Sequence, residues 1–274
     1  MSSICEVLLV SRSGFYSWQF RGLSARDRRD EELMPMVREI FGRHRRRYGA
    51  RRIAIELADR GEVCGVARVA KLLEIQGLRA IQPKSYRPRT TNSRHRLGYN
   101  SNLLRDRSAP EQIDQVWVGD ITYIPLRRGR FGYLSVLMDL HSRRIVGWEY
   151  QESMTEALVL GALTKAIRNR QPPAGLIHHS DRGGQYASRV YRDVLRRAGM
   201  RQSMSDAGNC YDNAFMESCF GTLKTELELT EYEDSLEAVR ELSSYVRYYN
   251  LDRRHSSLGY LTPAEFERQT TVPI

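Results

Sequence analysis

The chain lacks the features that would place it in a membrane, in an oxidising compartment or in a zinc-binding class. No apolar run approaches the roughly 18 residues a membrane helix needs. The opening stretch, Met1 to Val10, carries Glu6 and has no basic segment before its apolar residues, so it does not read as a secretion signal. Only four cysteines occur, Cys5, Cys64, Cys210 and Cys219, with no CxxC pair and no Cys/His cluster at zinc spacing. Neither a disulfide nor a structural zinc is expected, and reduced cytosolic thiols are. Acidic residues are scarce in the first part of the chain. Residues 1–110 hold 23 Lys and Arg against 11 Asp and Glu, whereas residues 111–274 hold 20 against 22. That asymmetry suggests a polyanionic partner, most naturally nucleic acid, with a plain solvated basic surface as the alternative.

What is present falls into four stretches. Residues 1–40 read as helical, with Ser11-Arg-Ser-Gly14 breaking the pattern. Residues 41–82 read as a helix-turn-helix-like region. One apolar stripe (Ile53, Leu57, Ala58) stops at Gly61, and a second (Val66, Val69, Ala70, Leu72, Leu73) stops at Gly77. Arg51, Arg52, Arg68 and Lys71 would then face phosphates, unless the unit is a plain helical hairpin. Residues 83–111, with Pro83, Pro88 and Pro110 and little apolar periodicity, read as a linker. From 112 to 268 the pattern becomes α/β. Strands are expected at 116–124, 133–138 and 144–148, then a helix near 155–168, a short strand at 176–179, a helix near 189–198, a short strand at 201–205, and helices near 213–229 and 236–250. Three strands with short connections, followed by helix-separated strands, imply a mixed five-stranded sheet with helices on its faces, the order of ribonuclease-H-like folds.

Three acids stand out. Asp120 interrupts an apolar strand, where an ionised carboxylate costs several kcal/mol unless a cation meets it. Asp181 follows a strand directly, at the end where α/β proteins collect their ligands; a turn or cap role is its plainer explanation. Glu217 shares one helical stripe with Asn213, Gly221 and Lys224. A solvated face is the plainer reading there. Gly221 argues against it, since glycine inside a helix costs about 1 kcal/mol relative to alanine. Three carboxylates drawn from separate elements suit two Mg²⁺ ions, which prefer hard oxygen ligands and can serve both the attacking and the leaving oxygen at phosphorus.

Sixty residues separate Asp120 from Asp181, 35 separate Asp181 from Glu217, and Lys224 comes seven after the Glu. This spacing resembles the Asp-Asp-(35)-Glu signature of retroviral integrases and related bacterial transposases. The surrounding segments Trp117-Val-Gly-Asp-Ile-Thr-Tyr-Ile124, His179-Ser-Asp-Arg-Gly-Gly-Gln-Tyr186 and Asp212-Asn-Ala-Phe-Met-Glu-Ser218 are similar to the three catalytic blocks of the second-frame (OrfB) transposase of the IS-three family. Gly221-Thr-Leu-Lys-Thr-Glu226, Tyr249-Asn, Arg254 to Pro263, Tyr48 to Ile53 and Ser11 to Tyr16 extend the resemblance over nearly the whole chain.

The resemblance implies metal binding and catalysis by Asp120, Asp181 and Glu217, with two Mg²⁺ ions that Mn²⁺ can replace. It implies DNA contact by Lys224, with Asn213 and Gln185 in support. His179 at best backs a metal ligand from behind, or else is simply packed and hydrogen-bonded. Asp139, Asp193, Asp212 and Glu226 do not match the signature and read as caps, turns or solvated charges. The implied partners are transposon ends, target DNA, further copies of the chain on DNA, and the first-frame (OrfA) product or a fusion with it, in the bacterial cytoplasm at the nucleoid. The implied activity is strand cleavage and strand transfer. A ribonuclease-H-type nuclease and a catalytically silent DNA-binding regulator are the alternatives.

Overall fold

Ser11 begins a helix. Its hydroxyl accepts from the Gly14 amide at 3.0 Å, and α1 runs Arg12–Phe20. The expected break at Ser11–Gly14 is therefore corrected: serine and glycine suit turns, but serine is equally an N-cap. The structure is a computed structural model that describes residues 5, 7–82, 100–105, 108–205, 214–228 and 231–271. It divides into two units, residues 1–81 and 82–274.

In the first unit, α2 (Ala25–Arg43) opens with a capping box between Ser24 and Asp27. Its apolar residues Leu33, Val37, Ile40 and Phe41 follow helical spacing and are buried. They share one core with Tyr48 and with Ile53 and Leu57 of α3 (Ala50–Asp59) and Val69, Leu72 and Leu73 of α4 (Val66–Ile75). The division expected between residues 40 and 41 thus falls inside a helix whose side chains belong to the α3–α4 core. Gly61 and Gly77 have φ of 83° and 65°, the left-handed conformation that ends a helix.

The second unit is built on one sheet. β1 (Val116–Leu126), β2 (Arg130–Asp139) and β3 (Ile145–Gln151) form an antiparallel meander. The β1–β2 turn places Arg128 and Gly129 at φ of 63° and 69°, as a tight hairpin requires. α5 (Glu156–Arg170) leads to β4 (Ile177–Ser180). α6 (Gly184–Ala187) and α7 (Arg189–Arg197) lead to β5 (Arg201–Met204). The strand order is β3-β2-β1-β4-β5, with β4 and β5 parallel to β1. α8 (Ala214–Glu226), α9 (Ser235–Leu251) and α10 (Pro263–Thr271) complete the unit. This is the mixed, ribonuclease-H-like sheet that the pattern predicts.

Strand alternation divides the core. Val116, Val118, Val136 and Met138 face the layer of α8 and α9, where Met216, Cys219, Phe220 and Leu223 meet them. Trp117 and Leu137 face the opposite layer, with Val159 and Leu163 of α5 and Tyr191 of α7. Part of the expected linker belongs to this unit. The Leu103 amide donates to Ser203 Oγ at 2.9 Å, Asn100 Nδ2 donates to Gln202 at 2.6 Å, and Leu103 and Leu104 pack on the core. The C-terminal limit expected at 268 falls within α10. Its Glu267 is buried and ion-paired to Arg144 and Arg170 at 2.5 and 2.9 Å.

Candidate active site

β1 and β4 are adjacent parallel strands whose last paired residues are Gly119 and Ser180. Asp120 and Asp181 are the next residue on each, so the two acids stand side by side. Alternation from Val118 and Ile177 puts both on the α8–α9 side of the sheet. Each is half-buried. Asp120 Oδ1 accepts from the Ile121 amide at 2.7 Å, and Asp181 Oδ1 from the Gly183 amide at 2.9 Å. A Cβ at Gly183 would stand 3.0 Å from Asp181 Oδ1 and 3.1 Å from Gln185 Oε1, so glycine lets this turn fold tightly around the carboxylate.

α8 supplies the other charges. Lys224 is half-buried, its Nζ 4.1 Å from the centre of the Tyr123 ring. Burial pulls its ammonium pKa down, and the charge of Asp120 pulls it partly back. The cation opposing Asp120 therefore comes from a helix a hundred residues away, not from the strand. At the other end of α8, Phe215 lies under the Arg143 guanidinium at 4.1 Å, and Arg143 follows the end of β2 that pairs with the start of β1. α8 thus runs along β1 in the same direction. Seven helical residues back from Lys224 is about 10 Å and reaches Glu217; three strand residues back from Tyr123 is also about 10 Å and reaches Asp120. By this count Glu217 comes to the level of the two aspartates; it sits in the first turn of α8, where the helix dipole favours a carboxylate. It is exposed.

Among the described residues no group of three or more His, Cys, Asp or Glu is close enough to share a metal ion. The donor chemistry of the aspartate pair fits a hard divalent cation. The third carboxylate is level with the pair but not gathered to it.

Beneath the aspartates lies a buried aromatic group. His178 Nε2 lies 2.9 Å from the Tyr191 hydroxyl, and the Tyr186 and Tyr191 rings meet edge to face at 5.4 Å. The His178 pKa is pushed down to about 3, by burial first and by His179 second. The Tyr186 phenol is held far above its ordinary value by burial, then by Tyr191, Asp120 and Asp181. His179 is fully buried and bonds Ser203 and Ser205 Oγ at 2.8 and 3.2 Å, which makes it a packed, hydrogen-bonded histidine. Gln185 neighbours Asp181, its Nε2 donating to the Met154 carbonyl at 3.3 Å. Asn213 lies outside the described residues.

Of the four acids expected to be caps, turns or solvated charges, two are buried, Asp139 and Glu226. Asp139 accepts from the amides of Asp114, His141 and Ser142 and from the Ser142 hydroxyl, so it is a turn residue, but a fully buried one. Glu226 is buried against Arg253. Asp193 pairs with Arg196 near the surface, and Asp212 lies outside the described residues.

In the first unit Arg51 is exposed, and the half-buried Arg52 lies 5.3 Å over the Tyr48 ring. Arg68, expected to face phosphates, donates to the buried Asp30 at 2.6 Å and is part of the internal structure.

Integrase core domain models match residues 110–210 and 198–263, and an HTH-like domain model matches residues 28–86. A 31 kDa protein of insertion element IS600 from Shigella sonnei is 42% identical over 97% of this chain and 98% of its own length. Transposase InsF of insertion sequence IS3A from Escherichia coli K12 is 39% identical over 98% of this chain and 94% of its own length. The chain belongs to the IS3 family of transposases. It is a DDE-type transposase, a polynucleotidyl transferase with an integrase core. Among solved structures this transposase is similar to a simian T-cell lymphotropic virus intasome (18% identity, 81% of this chain and 72% of that chain, TM-score 0.49). It is also similar to the HTLV-2 integrase catalytic core in complex with magnesium (15% identity, 56% of this chain and 96% of that chain, TM-score 0.44). No described helix of the transposase is long and apolar enough to cross a membrane.

Proposed function

We propose that Asp120, Asp181 and Glu217 are the catalytic acids of this transposase and hold two Mg²⁺ ions, which Mn²⁺ can replace. The observation that carries this reading is the pairing of β1 with β4. It sets two carboxylates side by side, facing the helix that bears Glu217 and Lys224. The ions would supply Lewis acidity to the attacking and leaving oxygens at phosphorus.

The chain's own groups act on DNA in two displacements. In the first, water attacks a phosphodiester at the transposon end; the P–O bond breaks and leaves a 3′-OH. In the second, that 3′-OH attacks a target phosphodiester, forming one P–O bond as another breaks, so no external energy source is consumed. Asp120 and Asp181 would hold the cations through their carboxylate oxygens. Lys224, beside Asp120, orients the scissile strand through its phosphates, with Gln185 and Asn213 touching DNA around Asp181 and Glu217. Arg51 and Arg52 bind phosphates and carry no sequence readout. Transposon ends and target DNA are the substrates. The working form is a homo-oligomer on DNA, acting with the first-frame product or fused to it, at the nucleoid.

The test uses a labelled transposon-end duplex and a target duplex with Mg²⁺ or Mn²⁺. Wild type should give both nicked and joined products. Asp120→Asn should bind DNA and give neither. Cleavage by that variant at the wild-type rate overturns the assignment. Nicking without joining by the wild type would favour a water-only nuclease.

A further inference from the structure

Glu226 ends α8 in an apolar core, where its carboxylate is ion-paired to Arg253. Arg253 Nε lies 2.9 Å from Oε1 and 3.0 Å from Oε2 of that carboxylate, and the Tyr245 hydroxyl donates to Oε2 at 3.1 Å. Both side chains are only 7% exposed. Arg253 follows α9; its guanidinium stands 5.7 Å from the Tyr249 ring centre, and its Nη1 lies 3.4 Å from the His255 ring nitrogens. His255 packs edge-on against Tyr249 at 4.6 Å.

A pair like this is a poor source of stability, because desolvating two charges offsets their attraction. It is a good source of registry. Slipping α8 by one residue moves it about 1.5 Å and turns it about 100°, which would strand one buried charge without the other. The remaining contacts of α8 do not enforce register so sharply. Met216, Cys219, Phe220 and Leu223 form an apolar stripe whose contacts are not directional, and a Cβ added at Gly221 would meet nothing within 4 Å.

Glu226 lies two residues from Lys224 and nine from Glu217 on this one helix. We propose that the buried Glu226–Arg253 pair sets the rotation and axial position of α8, and through it the meeting of Glu217 and Lys224 with Asp120. Glu226 and Arg253 are positioning residues. They do not reach the reacting atoms, and the inference rests on the assignment of Glu217 as a catalytic acid. It gives the segment after α9 a part in the chemistry.

The test uses the full chain and four readouts: thermal midpoint, affinity for end DNA without metal, Mn²⁺ retained by the protein–DNA complex, and the Mn²⁺ concentration giving half-maximal cleavage. Retained Mn²⁺ is counted from the free-ion EPR signal, with an Asp120→Asn/Asp181→Asn protein as blank. The Glu226→Met/Arg253→Met protein swaps the pair for apolar side chains of similar length. It should keep its thermal midpoint and DNA affinity, while half-maximal Mn²⁺ rises at least tenfold and retained Mn²⁺ falls. Arg253→Lys, which keeps the charge but loses the fork, should give an intermediate shift. A folded double variant with wild-type Mn²⁺ retention and cleavage overturns the proposal. If that variant does not fold, Arg253→Lys decides: a shifted Mn²⁺ requirement at unchanged thermal midpoint supports the pair's role, and an unshifted one overturns it. Glu217→Gln runs alongside. Unimpaired cleavage in that variant removes the underlying assignment, whatever the pair does.

Discussion

Replacing Gly119 by alanine adds one methyl group beside the aspartate pair. The new Cβ would lie 3.1 Å from His178 Nε2, 3.5 Å from its Cε1 and 3.7 Å from Leu137 Cγ. Relief requires a shift of about 0.4 Å to reach an ordinary contact of roughly 3.5 Å. The imidazole has little room to give it. Its Nε2 is 2.9 Å from the Tyr191 hydroxyl, and the Tyr186 and Tyr191 rings stand 6.0 and 5.5 Å away. The strain therefore passes to the β1–β4 pairing, whose last step is Gly119 with Ser180. Overpacking of this size costs about 1–3 kcal/mol, and the less flexible unfolded chain offsets roughly 0.4–1 of it. A net loss of up to about 2.6 kcal/mol lowers the thermal midpoint by up to about 10 °C for a unit of this size. A 1 Å misplacement of reacting groups costs about 10²-fold, so a displacement of about 0.4 Å should slow end cleavage some five- to tenfold. Differential scanning calorimetry and a single-turnover cleavage assay measure the two effects. A variant with an unchanged or raised midpoint and full cleavage would refute the reasoning from close packing.

Three further outcomes follow from the same structure. The His178 pKa lies near 3 in the folded chain and near 6.5 in the unfolded chain, so the unfolded state takes up the proton first as pH falls. Stability is full above about pH 6.5 and should fall by about 2 kcal/mol from this group between pH 7 and pH 5. Urea titrations should show that loss shrinking by the same amount in His178→Asn, and an identical loss in both proteins would contradict it. Gly221→Ala, at an exposed helical position with open space around it, should stabilise the free protein by about 1 kcal/mol and weaken its binding to end DNA, if that face meets the DNA backbone. Tighter or unchanged binding would remove DNA from that face. Arg51→Ala with Arg52→Ala should weaken end and unrelated DNA alike and reduce the salt slope by about one per lost phosphate contact. A loss confined to end DNA would mean that these arginines read sequence.

Elements with a strong period are legible in the sequence. Strands β1 to β5 and helices α5, α7, α8 and α9 begin and end close to where apolar runs and helical spacing put them, because the helices bury an apolar stripe and the central strands β1, β2 and β4 are buried on both faces. The parallel direction of β4 also follows from the pattern, since strands separated by a helix run parallel, but its place beside β1, which makes Asp120 and Asp181 neighbours, does not: the same connection would allow pairing beside β3. The burial of Glu226 and Asp139 is hidden for one reason. A buried carboxylate looks like a solvated one until its partner is known, and the partner of Glu226 is 27 residues away in a segment of ordinary composition. Arg68 is hidden likewise, its partner Asp30 lying on another helix. Ser11 shows the local ambiguity, because one hydroxyl serves a turn or an N-cap. The docking of residues 100–105 on β5 rests on two leucines and a few polar contacts, too little apolar pattern to detect.

The most direct measurement of the central claim is a crystal structure of the chain on transposon-end DNA with Mn²⁺, phased to show anomalous scattering. Two peaks about 4 Å apart are expected, with one carboxylate touching both and the other two of Asp120, Asp181 and Glu217 touching one each. Glu217 turned away from the aspartates on bound DNA, or no peak beside Asp120 and Asp181, would contradict it.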